Sequence, residues 1–141
     1  MMKGISLLII LTAISIGACR SILKIHRRIQ RIKSERSGIT LDDFRQEFRD
    51  AQYNENAVEA AFHDFVDSFG FPVRREDELW ETLNLYPEDV DRMVERRALQ
   101  LGVADIWHSP YSGSLPLDTV EDYVRLLSQI MMTQEEGRGP E

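Results

Sequence analysis

The chain has one cysteine, no lysine after Lys33 and no segment in which polar and apolar residues alternate as they do in a strand. Because Cys19 has no second cysteine to pair with, an intramolecular disulfide and a cysteine metal cluster are both excluded. No glycine-rich phosphate-binding loop is present. The sequence therefore favours an all-α fold and gives no support for an enzyme, a cofactor or a small-molecule substrate.

Histidines and serines offer no recognisable site either. The three histidines, His26, His63 and His108, lack the spacing of metal ligands. His63-Asp64 is superficially similar to a phosphohydrolase metal pair, but the same predicted helix supplies only Asp67 as a further ligand. The serines within residues 109–114 lie in a turn-rich loop with no base at a recognisable distance. We expect no metal site and no catalytic residue.

Charge is divided sharply along the chain. Residues 1–39 hold eight basic residues and one carboxylate, a balance of +7, whereas residues 40–141 hold nine arginines and 23 carboxylates, a balance of −14. This asymmetry predicts a basic segment on an anionic surface, with membrane lipid as its partner, and an acidic domain in solvent. We expect no nucleic-acid partner, because the acidic domain would repel a phosphate backbone.

An uncharged run of sixteen residues, Gly4–Cys19, stands near the amino terminus. A bilayer span needs about 17–25 apolar residues and a signal-peptide core about 7–15, so the run lies between the two. Residues 1–19 are either a transmembrane anchor, which Ile22 and Leu23 extend, or a signal peptide. One form of signal is a lipoprotein signal acylated at Cys19, because Ile16–Cys19 resembles a lipobox.

The residues that follow the run favour the anchor. Seven Lys and Arg residues lie between Arg20 and Arg36, and such flanks stay in the cytoplasm. We therefore expect a single-pass protein of the inner (cytoplasmic) membrane with a cytoplasmic carboxy-terminal domain. The alternative is an exported lipoprotein of the cell envelope.

Residues 20–39 form a basic juxtamembrane linker. Ile22, Ile25, Ile29 and Ile32 follow helical spacing, which is typical of a helix that lies on an anionic leaflet. The other interpretation is a linker that is basic only because it is cytoplasmic. We assign six basic residues to the membrane surface: Arg20, Lys24, Arg27, Arg28, Arg31 and Lys33.

Residues 40–132 predict a small helical domain. Helices are expected near 41–52, 57–69, 87–101 and 119–132. Thr40 with Asp43 has the spacing of a capping box, Asn56 offers a helix start, and Gly70 a left-handed helix stop. Four loop side chains are expected to fill the core: Leu79, Trp80, Leu83 and Leu85. Residues 133–141 contain no apolar residue and predict a disordered tail.

The order of these elements resembles that of acyl carrier proteins. A helix ends in "FG", a loop carries "DELWETLNL", an acidic helix follows, and "LPLDTVEDYVRLL" leads into the last helix. Thr119–Asp122 matches the Thr-Val-Xaa-Asp-like start of the family's last helix, and "LQLGV" is similar to the end of its second helix. The resemblance covers residues 57–132 and implies an acyl-carrier-like four-helix bundle.

Pro87 stands where that family has the serine that carries the phosphopantetheine arm. Tyr86–Asp89 aligns with the family's Asp-Ser-Leu-Asp, and no serine or threonine lies between Asn84 and Leu101. Because proline has no hydroxyl, the resemblance implies a carrier-like domain without the cofactor. The chain is also similar to an uncharacterised bacterial group of carrier-like domains in which that serine is not required. A carrier with an atypical attachment site, on a serine within residues 109–114, stays open.

We expect the helix that begins at Pro87 to bind a protein partner. Carrier proteins meet basic patches on their partners through the equivalent helix, so the resemblance points to its acidic side. The candidate partner-binding residues are Glu88, Asp89, Asp91, Met93 and Glu95. The partner is unknown, and we expect it to be membrane-associated because tethering raises the effective concentration there.

Overall fold

The computed structural model is all-helical. It describes residues 2–50 and 52–137, without the side chains of residues 2–14 and 16. The described residues form five α-helices: α1 Met2–Arg36, α2 Leu41–Glu47, α3 Glu55–Phe69, α4 Pro87–Gln100 and α5 Val120–Gly137. A 3-10 turn covers Ser112–Ser114, and the only β-type pairing within the described residues is an isolated bridge between Glu78 and Thr119. The prediction of an all-α fold is confirmed.

The helix ends follow the capping chemistry of the sequence. Thr40 and Asp43 form the reciprocal capping box of α2, and Gly70 ends α3 in the left-handed region at φ 75°. The start predicted for α3 is wrong, because Asn54 rather than Asn56 caps the helix, and its side chain accepts hydrogen bonds from two backbone N–H groups. A second box joins Thr119 and Asp122 at the start of α5.

Two helices differ in length from the prediction. α2 ends at Glu47 rather than near residue 52, and the guanidinium of Arg75 donates to the carbonyl oxygen of Glu47 at 2.9 Å. That bond satisfies one of the carbonyls that a helix end leaves without an intrahelical partner. α5 continues to Gly137 rather than ending near residue 132. The amide of Gln134 donates to the carbonyl oxygen of Leu101, which fixes this end of α5 beside the end of α4.

One hydrophobic core unites the helices and the loop between α3 and α4. α3 packs against α2 and α5, with Phe65 and Tyr123 fully buried edge to face. Leu79 and Leu83 from the loop enter the core as predicted. The prediction for Trp80 is wrong, since its side chain is half exposed. Leu79 is fixed inward by backbone hydrogen bonds to Asp118 and Leu85, and the next residue of the turn then projects outward.

The carboxy-terminal turns of α1 pack against the domain. Ile32 is buried and Ile29 is partly buried against the core. Arg36 forms a two-bond ion pair with the buried carboxylate of Asp77, which also accepts the backbone N–H of Arg74 at 2.7 Å. The segment predicted as a juxtamembrane linker is therefore helical to Arg36 and is attached to the domain at its end.

The predicted anchor falls mainly on side chains outside those described. Among the residues that the structure does describe, no helix holds an apolar stretch long enough to cross a bilayer. The last four residues of the predicted tail, 138–141, also lie outside the described part of the chain.

Candidate docking site on helix α4

The first turn of α4 combines proline with acidic residues. Pro87 occupies the first helical position, where a missing N–H costs no hydrogen bond, and Tyr86 precedes it in extended conformation. Glu88 and Asp89 place negative charge at the positive end of the helix dipole. The proline is thus compatible with a stable helix start, and it leaves the turn without a side-chain hydroxyl.

Four apolar residues hold the inner side of α4 in the core: Val90, Met93, Val94 and Ala98. Met93 is only 2 % exposed, so its assignment as a partner-binding residue is corrected. It anchors the helix, because the spacing of three and four residues places it on the same stripe as Val90 and Val94.

A polar network of the half-buried Arg97 and Asp64 with the buried Tyr123 ties α4 to α3 and α5. The guanidinium of Arg97 donates two hydrogen bonds to the carboxylate of Asp64, one of them at 2.8 Å, and the hydroxyl of Tyr123 donates to the same carboxylate at 2.6 Å. This bonding raises the pKa of Arg97, and burial raises the pKa of Tyr123 well above its ordinary value. Asp64, considered above beside His63 as a metal ligand, instead serves this network.

The outer side of α4 is acidic near the start of the helix and carries both acidic and basic residues further along. Glu88 and Glu95 are exposed, and Asp89 and Asp91 are half-buried. Partial burial, together with repulsion from Glu95 and Glu88, raises the pKa of Asp91. Arg92 lies 3.6 Å from Asp89, so part of the acidic charge is already balanced.

An open groove of about 630 Å³ runs beside the second half of α4. Leu99 on the helix is 65 % exposed, and Trp107 on the following loop lines the groove. The indole N–H of Trp107 donates to Glu95 at 2.7 Å, and Arg96 lines the groove with no ion pair among the described residues. Leu99 and Trp107 were not among the partner-binding residues predicted from the sequence. An exposed leucine on an otherwise polar helix face was the available signal.

The comparisons with known proteins return nothing for this chain. No family model, no curated protein and no solved structure matches it.

The loop serines take part in local hydrogen bonds. Ser109 donates to the carbonyl oxygen of Ile106 at 2.7 Å, and Ser114 donates to the side chain of Gln129 at 3.0 Å. Within the described residues, no group of three or more His, Cys, Asp or Glu side chains could hold a metal ion. His63 is half exposed, with its ring edge-on to Phe62.

The six residues assigned to the membrane surface divide into three kinds. Arg20, Lys24 and Arg27 are exposed, and Arg31 pairs only with the exposed Glu35. Arg28 donates to the carbonyl oxygens of Glu81 and Thr82, and Lys33 lies over Gly70. Two of the six therefore contact the domain.

The isoleucine stripe of α1 does not face a leaflet along its whole length. Ile29 and Ile32 pack on the domain, while Ile22 stays exposed. The spacing that predicts burial in lipid is equally satisfied by a protein core. Four of the basic residues do not contact the domain: Arg20, Lys24, Arg27 and Arg31. They recur at intervals of four, three and four and so lie on the side of α1 turned away from the domain.

Proposed function

We propose that this chain is a membrane-anchored, non-catalytic helical domain that docks a protein partner through the outer side of α4. The observation that carries the proposal is the contrast between the two sides of this helix. Its inner side is fixed by four apolar residues and by the Arg97–Asp64 pair, and its outer side presents carboxylates next to an open groove. A helix fixed by its inner side can present the polar groups of its outer side in a defined geometry, as a docking face requires.

The anchor is supported by the amino-terminal sequence and by the continuity of α1. Gly4–Leu23 contains twenty residues, and a helix of that length spans about 30 Å, the thickness of a hydrocarbon core. The exposed Arg20 near its end can extend its guanidinium to the interface. The basic residues that follow favour a cytoplasmic domain on the inner membrane. Export as a lipoprotein lipidated at Cys19 is the alternative localisation.

The carrier-like assignment is supported by the order of the elements. α3, the acidic loop, α4 and α5 follow the sequence of elements of the acyl carrier resemblance, and α4 begins at the proline that replaces the carrier serine. We propose an acyl-carrier-like four-helix bundle that lacks the phosphopantetheine arm. A carrier loaded on a serine within residues 109–114 is the alternative, and attachment at Ser109 or Ser114 would require that hydroxyl to leave its present hydrogen bond.

Site-specific photo-crosslinking in membranes tests the docking face. A photo-reactive residue replaces Arg92 in the full chain, and a control replaces Arg49, which is exposed on the segment after α2. We expect a cross-linked product only from position 92, and we expect it to weaken at high salt because exposed charges steer association.

Charge reversal sharpens the same experiment. Glu88→Arg combined with Asp89→Arg should abolish the product while the helical circular dichroism spectrum is retained. If positions 92 and 49 give the same products, or if the reversed variant keeps its product, docking through α4 is wrong.

A further inference from the structure

Two aromatic side chains stand together, half exposed, beside the start of α4. Trp80 and Tyr86 are each 50 % exposed, and their rings pack edge to face with centroids 5.5 Å apart. Burying either ring would remove apolar surface from contact with water, which is favourable. The packing of the domain therefore does not explain why both rings are exposed.

The backbone fixes Trp80 in this outward position. The N–H of Asn84 donates to the carbonyl oxygen of Trp80 at 2.9 Å, and Asn84 adopts a positive φ of 55° that closes the turn. Leu79 and Leu83 on either side are buried. The turn therefore holds Trp80 outward while its neighbours fill the core.

The contacts of α1 place this aromatic pair at the end of the domain nearest the amino-terminal run. Arg36 contacts Asp77, whereas Arg28, two turns earlier in the helix, contacts the carbonyls of Glu81 and Thr82. The turn that carries Trp80 is thus attached to the earlier part of α1. Tyr86 and the first turn of α4 lie at the same end, because Tyr86 contacts Trp80.

Further exposed apolar side chains lie on α1, toward its amino terminus from Arg28. Ile22 is 65 % exposed and Leu23 is 53 % exposed. Leu23 precedes Arg28 by a helical rise of about 7.5 Å. Exposed cations stand among them at Arg20, Lys24 and Arg27. Aromatic and aliphatic groups mixed with Lys and Arg match the chemistry of a bilayer interface, where Trp and Tyr concentrate.

We propose that Trp80 and Tyr86 form an edge that contacts the lipid headgroup layer, next to the point where Ile22 and Leu23 end the apolar span. This inference rests on the anchor of the proposed function. If Gly4–Leu23 fills the hydrocarbon core, Arg28 lies about 7.5 Å beyond its edge. The headgroup layer on one side of a bilayer has about this thickness.

The acidic residues around the aromatic pair limit its depth. Glu78, Glu81 and Glu88 are exposed near it, and carboxylates are strongly disfavoured in hydrocarbon. The edge therefore rests among headgroups and does not enter the acyl chains. As a consequence, the docking face on the outer side of α4 is presented next to the membrane surface.

Tryptophan fluorescence in vesicles tests the orientation, because the chain contains two tryptophans with similar exposure at different places. Trp107→Phe leaves Trp80 as the reporter, and Trp80→Phe leaves Trp107, 37 % exposed beside Glu95, as the matched control. Both full-length variants are reconstituted into phosphatidylcholine–phosphatidylglycerol vesicles with and without a nitroxide on the lipid headgroup. Circular dichroism verifies that each variant is folded.

We expect the nitroxide to lower the emission of Trp80 about twofold and to leave that of Trp107 nearly unchanged, because only Trp80 reaches the interface. Equal quenching of both reporters, or of neither, in protein that floats with the vesicles overturns the orientation and leaves the anchor standing. Failure to float overturns the anchor and the orientation together. Shielding of Trp80 that rises with protein concentration, without nitroxide quenching, means that a second copy covers the pair and also overturns the inference.

Discussion

α4 and α1 are attached to the same core in very different ways. α4 contributes four buried apolar residues and an arginine whose carboxylate partner also binds Tyr123. α1 contributes Ile32, the partly buried Ile29 and the ion pair of Arg36 with Asp77. The first attachment lies between three helices, whereas the second joins one helix end to a loop. We therefore expect α4 to unfold only with the domain and α1 to detach locally.

Breaking the α4 attachment should have the largest effect. Asp64→Ala leaves the guanidinium of Arg97 and the hydroxyl of Tyr123 without their shared partner in a mostly buried site. We expect the free energy of unfolding to fall by about 3 kcal/mol, because the change leaves a charge without its partner and the buried Tyr123 hydroxyl without its acceptor. Urea denaturation followed by circular dichroism measures it. His63→Ala, one residue earlier and half exposed, is the control and should change stability by less than about 0.5 kcal/mol.

The attachment of α1 should break at lower cost and without global unfolding. Asp77→Ala removes the partner of Arg36 and the acceptor of the Arg74 N–H. We expect about 2 kcal/mol of local destabilisation and much faster trypsin cleavage after Arg36, whose guanidinium is bound in the native state. Limited proteolysis of the full chain measures this. Glu35→Ala removes the exposed Arg31 pair and leaves the bonds between Arg36 and Asp77 in place, so it should be cleaved at close to the native rate. Equal rates for both variants would contradict the difference between the two attachments.

A third attachment, between α5 and the segment before α3, is sensitive to acid. Arg75 and Tyr53 donate to Glu121, and these bonds lower the pKa of Glu121 to about 2. Because the folded pKa lies below the unfolded value, the contribution is fully present above pH 4.5 and is lost as the pH falls toward 2. We expect about 1 kcal/mol after allowing for solvent screening.

Denaturation across that pH range measures the contribution. Glu121→Gln should flatten the acid limb of the stability profile in this window. A variant whose acid limb matches that of the native chain would show that Glu121 does not supply the effect.

Local signals in the sequence determine the helix caps and much of the core. The capping box at Thr40 and the glycine stop at Gly70 depend on neighbouring residues and could be predicted. The Arg97–Asp64 pair joins residues far apart in sequence, so no local pattern indicates it. The isoleucine stripe of α1 does not show whether it faces lipid or a protein core, because both favour apolar residues at the same helical spacing.

The outward position of Trp80 and the groove beside α4 also depend on contacts that no local sequence pattern indicates. Hydrophobicity alone assigned Trp80 to the core, because only the hydrogen bonds of the folded turn decide which side of it faces inward. The acidic side of α4 was predictable from its composition. The groove was not, because it forms only when the loop that carries Trp107 folds against the helix.

The smallest expected effect concerns the outer side of α4 itself. The raised pKa of Asp91 means that its ionised form is less favourable in the folded chain than in the unfolded one, and the penalty disappears as the pH falls below that pKa. Asp91 stands within one helical turn of Glu88 and Glu95, so like charges repel there. Asp91→Asn should therefore stabilise the domain at neutral pH, by about 0.5 kcal/mol.

Asp89→Asn is the matched variant, because Asp89 interacts favourably with the helix dipole and lies 3.6 Å from Arg92. It should lose about 0.5 kcal/mol of stability, and thermal denaturation of the two variants at neutral pH measures both changes. A carboxylate retained at a cost to stability is expected where a partner needs the charge, since stabilising substitutions often cost function. The Asp91→Asn variant should accordingly be more stable and give less cross-linked product at position 92. If it is destabilised, or if its product is undiminished, Asp91 has no place in the docking face.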